Sequence, residues 1–268
     1  MIAEREKSIG IFDSGIGGLT VLKAVEEALP GEHLVYLGDT ARVPYGNKSR
    51  ETITRYSVEN TQFLLQSGVK AVVVACNTAS ALALSELRRH FPIPILGVIE
   101  PGARAALSAT RTKEIGVIGT ESTISSSSYS KAVQALDPKS RVWGIACPLF
   151  VPLAEEGWIH EEVTEAVAQK YLSPFVKTPI DTLILGCTHY PLLKGVIAKT
   201  MGEKVTLVDS AQETARALKE LLAEKGLQRT EKGRSSSHFF VTDSPDRFKQ
   251  GAKNFLNRSL DGVTLVTF

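Results

Sequence analysis

Two cysteines, Cys76 and Cys187, are the residues of this sequence best suited to chemistry. Each follows a short apolar run and precedes polar residues, Asn-Thr at 77–78 and Thr-His at 188–189. Ligands bind at the carboxyl ends of strands in open α/β sheets, and a helix that begins there favours a thiolate. A lone buried cysteine is usually structural, but two in equivalent settings favour a function. Cys147 lacks this setting, and we expect it to serve packing.

Two such thiols could serve three kinds of chemistry. A metal site would need further ligands at short spacing, and the sequence contains no C-x-x-C or H-x-x-H segment. A redox dithiol usually lies within one C-x-x-C segment. The third use is acid–base catalysis, in which one thiolate takes a proton from a carbon centre and the opposite thiol returns one. Two cysteines in equivalent places of two similar halves would suit this third use.

Alternating apolar and amphipathic segments predict the elements that position these cysteines. The predicted strands and helices alternate along the first part of the chain: strands at 8–12, 33–37, 69–75 and 93–97, and helices at 17–28, 51–65 and 78–89. This order predicts an α/β fold with a mostly parallel, doubly wound sheet. Apart from Lys70, the run at 69–75 consists of Val and Ala, which is typical of a strand buried on both faces.

The strand pattern restarts in the second part of the chain. Residues 9–15 resemble residues 115–121, and residues 71–78 resemble residues 182–189 at nearly the same offset. A chance likeness between short buried strands is the alternative. The two matches favour two pseudo-symmetric doubly wound domains with a cleft between them.

The C-terminal part continues with further strand and helix patterns. These lie at 204–208, 211–223, 238–242 and 263–268, with an exposed loop at 228–237. We expect the tail to rejoin the first domain. The predicted division is therefore residues 1–97 plus 208–268 for the first domain and residues 98–207 for the second.

A glycine-rich segment at 15–20 lies between the first strand and its helix, as a phosphate-binding loop would. Thr20 replaces the third glycine of a G-x-G-x-x-G motif, so the indication of a dinucleotide site is weak, although Asp39 follows the second strand. We favour close approach of the backbone to a small anion. A tight strand-to-helix turn, with Asp13 as a helix cap, is the alternative.

Composition and charge exclude several classes of protein. Lys and Arg total 31 against 29 Asp and Glu, which gives no basic footprint for nucleic acid or an anionic membrane. No apolar run reaches the roughly 20 residues of a membrane span. The N-terminal residues are polar, so we expect no signal peptide. Three widely spaced cysteines argue against a disulfide framework and favour a reducing cytoplasm.

Four segments, taken together, resemble the glutamate racemases of the cofactor-independent aspartate/glutamate racemase superfamily. The segments are GIFDSGIGGL at 10–19, YLGDTARVPYG at 36–46, VACNTAS at 74–80 and LGCTHYPLL at 185–193. The resemblance implies interconversion of L- and D-glutamate with no pyridoxal phosphate, metal or other cofactor, and supply of D-glutamate for peptidoglycan. It implies a small-molecule partner, no nucleic acid and no membrane, and it leaves a homodimer open.

The resemblance also implies roles for individual residues. Cys76 would deprotonate the D-enantiomer with support from Asp13, and Cys187 the L-enantiomer with support from His189. Glu155 resembles an acidic position credited with assistance. The remaining positions match residues that hold the amino and carboxylate groups of the substrate: Ser14, Tyr45, Gly46, Asn77, Thr78 and Thr188.

Two rival functions and one regulatory feature complete the sequence interpretation. A nicotinamide-dependent oxidoreductase would use the glycine turn, and a two-lobed binding protein would close on an amino acid without chemistry. Some members of the superfamily carry an N-terminal extension linked to activation by a cell-wall precursor. The first motif here begins at Ile9, so we do not expect that regulation.

Overall fold

The computed structural model describes residues 3–230 and 235–267, which form two parallel β-sheets covered by helices. The strands, in chain order, are β1 (Ser8–Asp13), β2 (Leu34–Gly38), β3 (Val69–Val74), β4 (Ile95–Gly97), β5 (Glu114–Gly119), β6 (Arg141–Ala146), β7 (Thr182–Gly186), β8 (Thr206–Asp209), β9 (Ser237–Val241) and β10 (Thr264–Leu265).

Twelve α-helices connect and cover these strands within the described residues. They are α1 (Leu19–Ala28), α2 (Arg50–Gln66), α3 (Asn77–Leu82), α4 (Leu84–His90), α5 (Ile99–Ala109), α6 (Glu121–Ser125), α7 (Ser128–Leu136), α8 (Phe150–Glu155), α9 (Glu162–Leu172), α10 (Lys194–Met201), α11 (Ser210–Glu224) and α12 (Pro245–Leu256). None of the described helices is both long and apolar enough to span a membrane.

The two sheets share one strand order. The first sheet runs β10-β9-β2-β1-β3-β4 and the second runs β6-β5-β7-β8, with every pairing parallel. The core of the first, β2-β1-β3-β4, therefore repeats in the second as β6-β5-β7-β8. This repeat confirms the predicted α/β fold with two similar doubly wound halves.

The first sheet is buried on both faces because helices cover each side. Along β3, Ala71 and Val73 pack on one face with residues of α1 and α11, whereas Val72 and Val74 pack on the other with residues of α2, α3 and α4. All six residues of β3 are buried. Apart from Lys70, which pairs with Glu32, β3 consists of Val and Ala, and this composition fits because neither face meets water.

The structure differs from the predicted elements in three places. The single helix expected at 78–89 is divided at Ala83 into α3 and α4. The fourth strand, expected at 93–97, begins only at Ile95. The strand expected at 204–208 spans Thr206–Asp209 and pairs with β7 in the second sheet. Residues 231–234 of the loop expected at 228–237, and Phe268 of the strand expected at 263–268, lie outside the described residues.

Candidate active site

A cavity of about 430 Å³ lies between the two sheets. Four strands end beside it, two from each sheet: β1 and β3 from the first, β5 and β7 from the second. The cavity is lined by Ser14, Val43, Pro44, Tyr45, Gly46, Asn47, Cys76, Asn77, Thr78, Thr120, Glu121, Pro148, Val151, Pro152, Glu155, Cys187, Thr188 and His189. This volume is that of a small-molecule site.

The two cysteines singled out from the sequence line this cavity from opposite sheets. Cys76 lies between β3 and α3, and Cys187 directly follows β7. Both are buried, with 5% and 7% of their surface exposed. Cys76 Sγ lies 3.8 Å from Ser14 Oγ, and Cys187 Sγ lies 3.8 Å from His189 Nδ1. Each thiol therefore has its own polar neighbour within one shared cavity.

His189 and Glu155 form an ion pair behind Cys187. His189 Nε2 lies 3.0 Å from Glu155 Oε1. Burial disfavours the charged imidazole, but the hydrogen bonds with Cys187 and Glu155 outweigh burial and raise the pKa of His189 to about 10. The hydrogen bond from His189 holds the pKa of Glu155 below its usual value, although burial opposes this shift. The site therefore places an imidazolium beside one thiol.

Asp13 lies behind the cavity wall and does not line the cavity. It is fully buried, accepts a hydrogen bond from the Gly15 N–H at 2.9 Å, and receives the Thr188 hydroxyl at 3.4 Å. Burial raises the pKa of Asp13, against the lowering effects of His189, Gly15 and Gly18. Asp13 thereby connects the two halves of the site through Thr188.

The glycine turn at 15–18 lets the backbone approach an anion closely, and this anion is the carboxylate of Asp13. A Cβ at Gly18 would lie 2.5 Å from Asp13 Cβ, and one at Gly17 would lie 2.3 Å from Thr188 Oγ1. Asp39 is engaged elsewhere, with Arg42 and with Thr242 Oγ1 at 3.0 Å. No observation at this turn favours a dinucleotide.

The pKa of Cys76 is raised, whereas thiol catalysis at neutral pH would call for a lowered pKa. Burial raises the pKa of Cys76 to about 12, and the charge of Asp13 adds to that increase. Hydrogen bonds from the Ala79 backbone N–H and from Ser14 favour the thiolate but do not offset burial. A helix N-terminus at a thiol therefore does not suffice in a site as dry as this one.

The other predicted contact residues line the same cavity. Tyr45 directs its hydroxyl away from the cavity wall to Asp39, and it also accepts a hydrogen bond from Asn60 at 3.1 Å. Gly46 packs against Thr120, where a Cβ would lie 2.7 Å from Thr120 Cβ. Thr78 Oγ1 lies 2.9 Å from Thr120 Oγ1. Cys147 does not line the cavity, and its sulfur lies 3.8 Å from the Ile145 carbonyl oxygen.

The sequence interpretation missed Thr120, which lines the cavity directly after β5. The internal repeat aligns Thr120 with Ser14, which directly follows β1, so the signal was present in the sequence. The apolar wall formed by Pro148, Val151 and Pro152 was also missed. These residues carry no chemical signature, and only the fold brings them to the site.

Comparison with known proteins agrees with this geometry. A model of the Asp/Glu/Hydantoin racemase family matches residues 9–218, which is most of the chain. The chain belongs to the Asp/Glu/Hydantoin racemase family. A glutamate racemase of Geobacter metallireducens is 55% identical over 261 residues, covering 97% of each chain.

Two solved structures of this racemase family resemble the whole chain. Glutamate racemase of Francisella tularensis in complex with D-glutamate has a TM-score of 0.91 and 39% identity, covering 98% of each chain. Glutamate racemase of Thermus thermophilus in complex with β-chloro-D-alanine has a TM-score of 0.89 and 43% identity, covering 99% of this chain and 98% of that one. In residues 3–230 and 235–267 of this racemase, no group of three or more His, Cys, Asp or Glu side chains could hold a metal ion.

The contacts of His189 with Cys187 and Glu155 make the stability of the protein depend on pH. They raise the folded-state pKa of His189 to about 10, above the ordinary value of 6.5, so their contribution is complete below about pH 6.5 and is lost as pH rises toward 10. We expect the difference in free energy of unfolding between wild type and His189→Gln to shrink across this range. Urea denaturation at pH 6.5 and 9.5 measures it, and a constant difference would contradict the expectation.

Proposed function

We propose that the protein interconverts L- and D-glutamate by two-base proton transfer at Cα, with Cys76 and Cys187 as the acid/base pair. The observation that carries the proposal is the placement of two thiols from equivalent strand ends of two sheets on one cavity. Inversion at a carbon centre requires one base and one acid on opposite faces. Two similar halves that face each other supply such a pair.

The proton balance of the reaction follows from two thiols in opposite protonation states. One cysteine, as thiolate, takes the proton from Cα, and the electron pair stays on the substrate as a carbanion. The other cysteine, as thiol, gives a proton to the opposite face. After one turnover the protonation states of the two cysteines are exchanged, and the reverse reaction uses the exchanged pair.

Each thiol has a neighbour that suits its part in this exchange. The imidazolium of His189 lies beside Cys187, and Glu155 helps to hold His189 in the charged form. Burial and then the charge of the nearby Asp13 carboxylate raise the pKa of Cys76. The ammonium group of a bound amino acid would bring a positive charge beside Cys76, so we assign formation of the Cys76 thiolate to the complex with substrate.

Substrate contacts are proposed for the polar groups around the two sulfurs. The α-proton of an amino acid is weakly acidic, so the carbanion needs hydrogen-bond donors in a water-poor site. The residues that we propose to hold the amino and carboxylate groups are Ser14, Tyr45, Gly46, Asn77, Thr78, Thr188 and His189, with Asp13 supporting from behind the cavity wall.

Broader features of the proposal rest on the same placement and on the relatives. We propose a cytoplasmic protein that supplies D-glutamate for peptidoglycan, because its relatives are glutamate racemases and its three cysteines are free. Except that Val208 and Asp209 belong to β8 of the second sheet, the strand content of the two sheets supports a division into residues 1–97 plus 208–268 and residues 98–207.

Proton NMR of L-glutamate with the pure protein in D₂O tests the proposed function. Two-base exchange replaces the Cα proton with deuterium, and D-glutamate accumulates until the two enantiomers are equal. Binding of glutamate without loss of the Cα proton would overturn racemisation and favour a binding protein. Protection of the protein by a dinucleotide, with no protection by glutamate, would favour an oxidoreductase.

We expect this activity to survive exhaustive dialysis against EDTA and to require no pyridoxal phosphate. Both proton transfers are assigned to side chains of the chain itself, so no added group has a step to perform. The same NMR assay before and after dialysis measures the effect. Loss of activity that a divalent ion restores would contradict the expectation.

A further inference from the structure

The amide of Asn77 has one side occupied and one side without a partner. Asn77 is 3% exposed and lines the cavity between the sheets. Its Nδ2 is one of two buried side-chain polar atoms without a hydrogen-bond partner among the described residues. An orphaned buried donor is costly, and such atoms are rare unless a ligand supplies the acceptor.

The occupied side of this amide is held by Tyr129 from the other half of the molecule. The Tyr129 hydroxyl donates to Asn77 Oδ1 at 2.7 Å, and this tyrosine is 3% exposed. Tyr129 belongs to α7, which packs on the second sheet, whereas Asn77 begins α3 after the first sheet's β3. With Oδ1 held by Tyr129, the NH₂ group is the part of the amide that has no partner.

Tyr129 itself has little freedom to turn. Its ring lies close to two glycines. A Cβ added at Gly102 would lie 3.2 Å from Tyr129 Cε1, and a Cβ added at Gly186 would lie 3.1 Å from Tyr129 Cε2. The direction of the hydroxyl is therefore fixed by packing as well as by its hydrogen bond to Asn77.

We propose that Tyr129 is a positioning residue that holds the Asn77 amide with its NH₂ toward the cavity, where it donates to a substrate carboxylate. The inference rests on the proposed racemase function. An amide turned the other way would present Oδ1, which accepts from an ammonium group and repels a carboxylate. Because Tyr129 and Asn77 belong to opposite halves, the donor is oriented only while the two halves stay together.

Tyr129→Phe removes the hydroxyl and keeps the ring. We expect KM for both glutamate enantiomers to rise about tenfold, the size of one lost hydrogen bond to a charged group. We expect kcat to fall as well, because deprotonation at Cα spreads negative charge onto the adjacent carboxylate and the lost donor is then missed in the transition state too. An unchanged melting temperature would exclude unfolding as the cause of the rise in KM.

Ser128→Ala is the matched control on the same helix. Ser128 Oγ donates to the Ala81 carbonyl at 3.0 Å, so this variant also breaks a hydrogen bond between α7 and α3 but leaves Asn77 alone. If Tyr129 acts only as a tie between the two helices, both variants raise KM alike. The proposal requires that only Tyr129→Phe does so.

A double-mutant cycle with Asn77→Ala completes the test. If Tyr129 acts through Asn77, Tyr129→Phe adds nothing to KM in the Asn77→Ala background. A further tenfold rise in that background, or wild-type KM in Tyr129→Phe alone, would overturn the proposal while wild type still racemises glutamate. A wild type that binds glutamate but does not racemise it would instead overturn the proposed function, which the assay reports separately.

Discussion

Cys76→Ser and Cys187→Ser should each reduce the rate of glutamate racemisation by about 10²- to 10⁴-fold, the usual size of one acid–base contribution. A serine hydroxyl is a much poorer base than a thiolate at neutral pH, and inversion needs both partners in every turnover. Serine differs from cysteine by one atom, so folding should be spared. The circular dichroism signal of glutamate, followed over time, measures the rate of racemisation. Thermal unfolding of each variant checks the fold.

Cys147→Ser is the internal control for this result. Cys147 is fully buried in the second sheet's core and does not line the cavity, so its replacement should cost packing and leave the chemistry intact. Near wild-type racemisation by both single variants at Cys76 and Cys187, together with loss in Cys147→Ser, would show that the catalytic pair is wrongly assigned.

The strand ends were predictable because buried parallel strands have a strong composition signal. The Val and Ala run before Cys76 and the Leu-rich run before Cys187 mark β3 and β7 without reference to the rest of the chain. Residues that follow such strands meet at one edge of a sheet, so placing polar residues there needs no knowledge of the remaining fold. The internal repeat then indicates that two such edges exist.

Features that depend on how the two sheets meet could not be predicted in this way. The contact between Tyr129 and Asn77 joins residues 52 positions apart on opposite halves. Its geometry depends on the relative placement of α7 and α3, which no local pattern encodes. The division of the predicted helix at Ala83 is similar, because the apolar spacing of 78–89 continues through this residue and gives no sign of a break.

For the glycine turn, the sequence predicts the backbone geometry correctly but not the group that this geometry serves. Gly15, Gly17 and Gly18 allow the close approach of the backbone that is expected of an anion-binding loop. The sequence cannot indicate that the carboxylate which meets this turn is Asp13 of the same chain. The raised pKa of Cys76 has the same origin, since burial of the site follows from tertiary packing alone.

Elimination from β-chloroalanine should separate the roles of the two cysteines, because it needs one base and no returning acid. The thiolate takes the Cα proton, the C–Cl electron pair leaves as chloride, and the aminoacrylate product hydrolyses to pyruvate and ammonia. The family resemblance assigns Cys76 to the D-form and Cys187 to the L-form. Cys187→Ser should therefore retain elimination from the D-enantiomer, and Cys76→Ser from the L-enantiomer.

The contrast between enantiomers should be large because each variant keeps one base and loses the other. We expect about 10²-fold or more between the two enantiomers in each variant, with opposite preference, on the scale of one lost base. Pyruvate release, followed for four combinations of variant and enantiomer, gives the four rates. An equal loss of elimination from both enantiomers in both variants would contradict the assignment. It would mean that each thiol is needed to deprotonate either face of Cα, which does not fit two bases on opposite sides of one carbon.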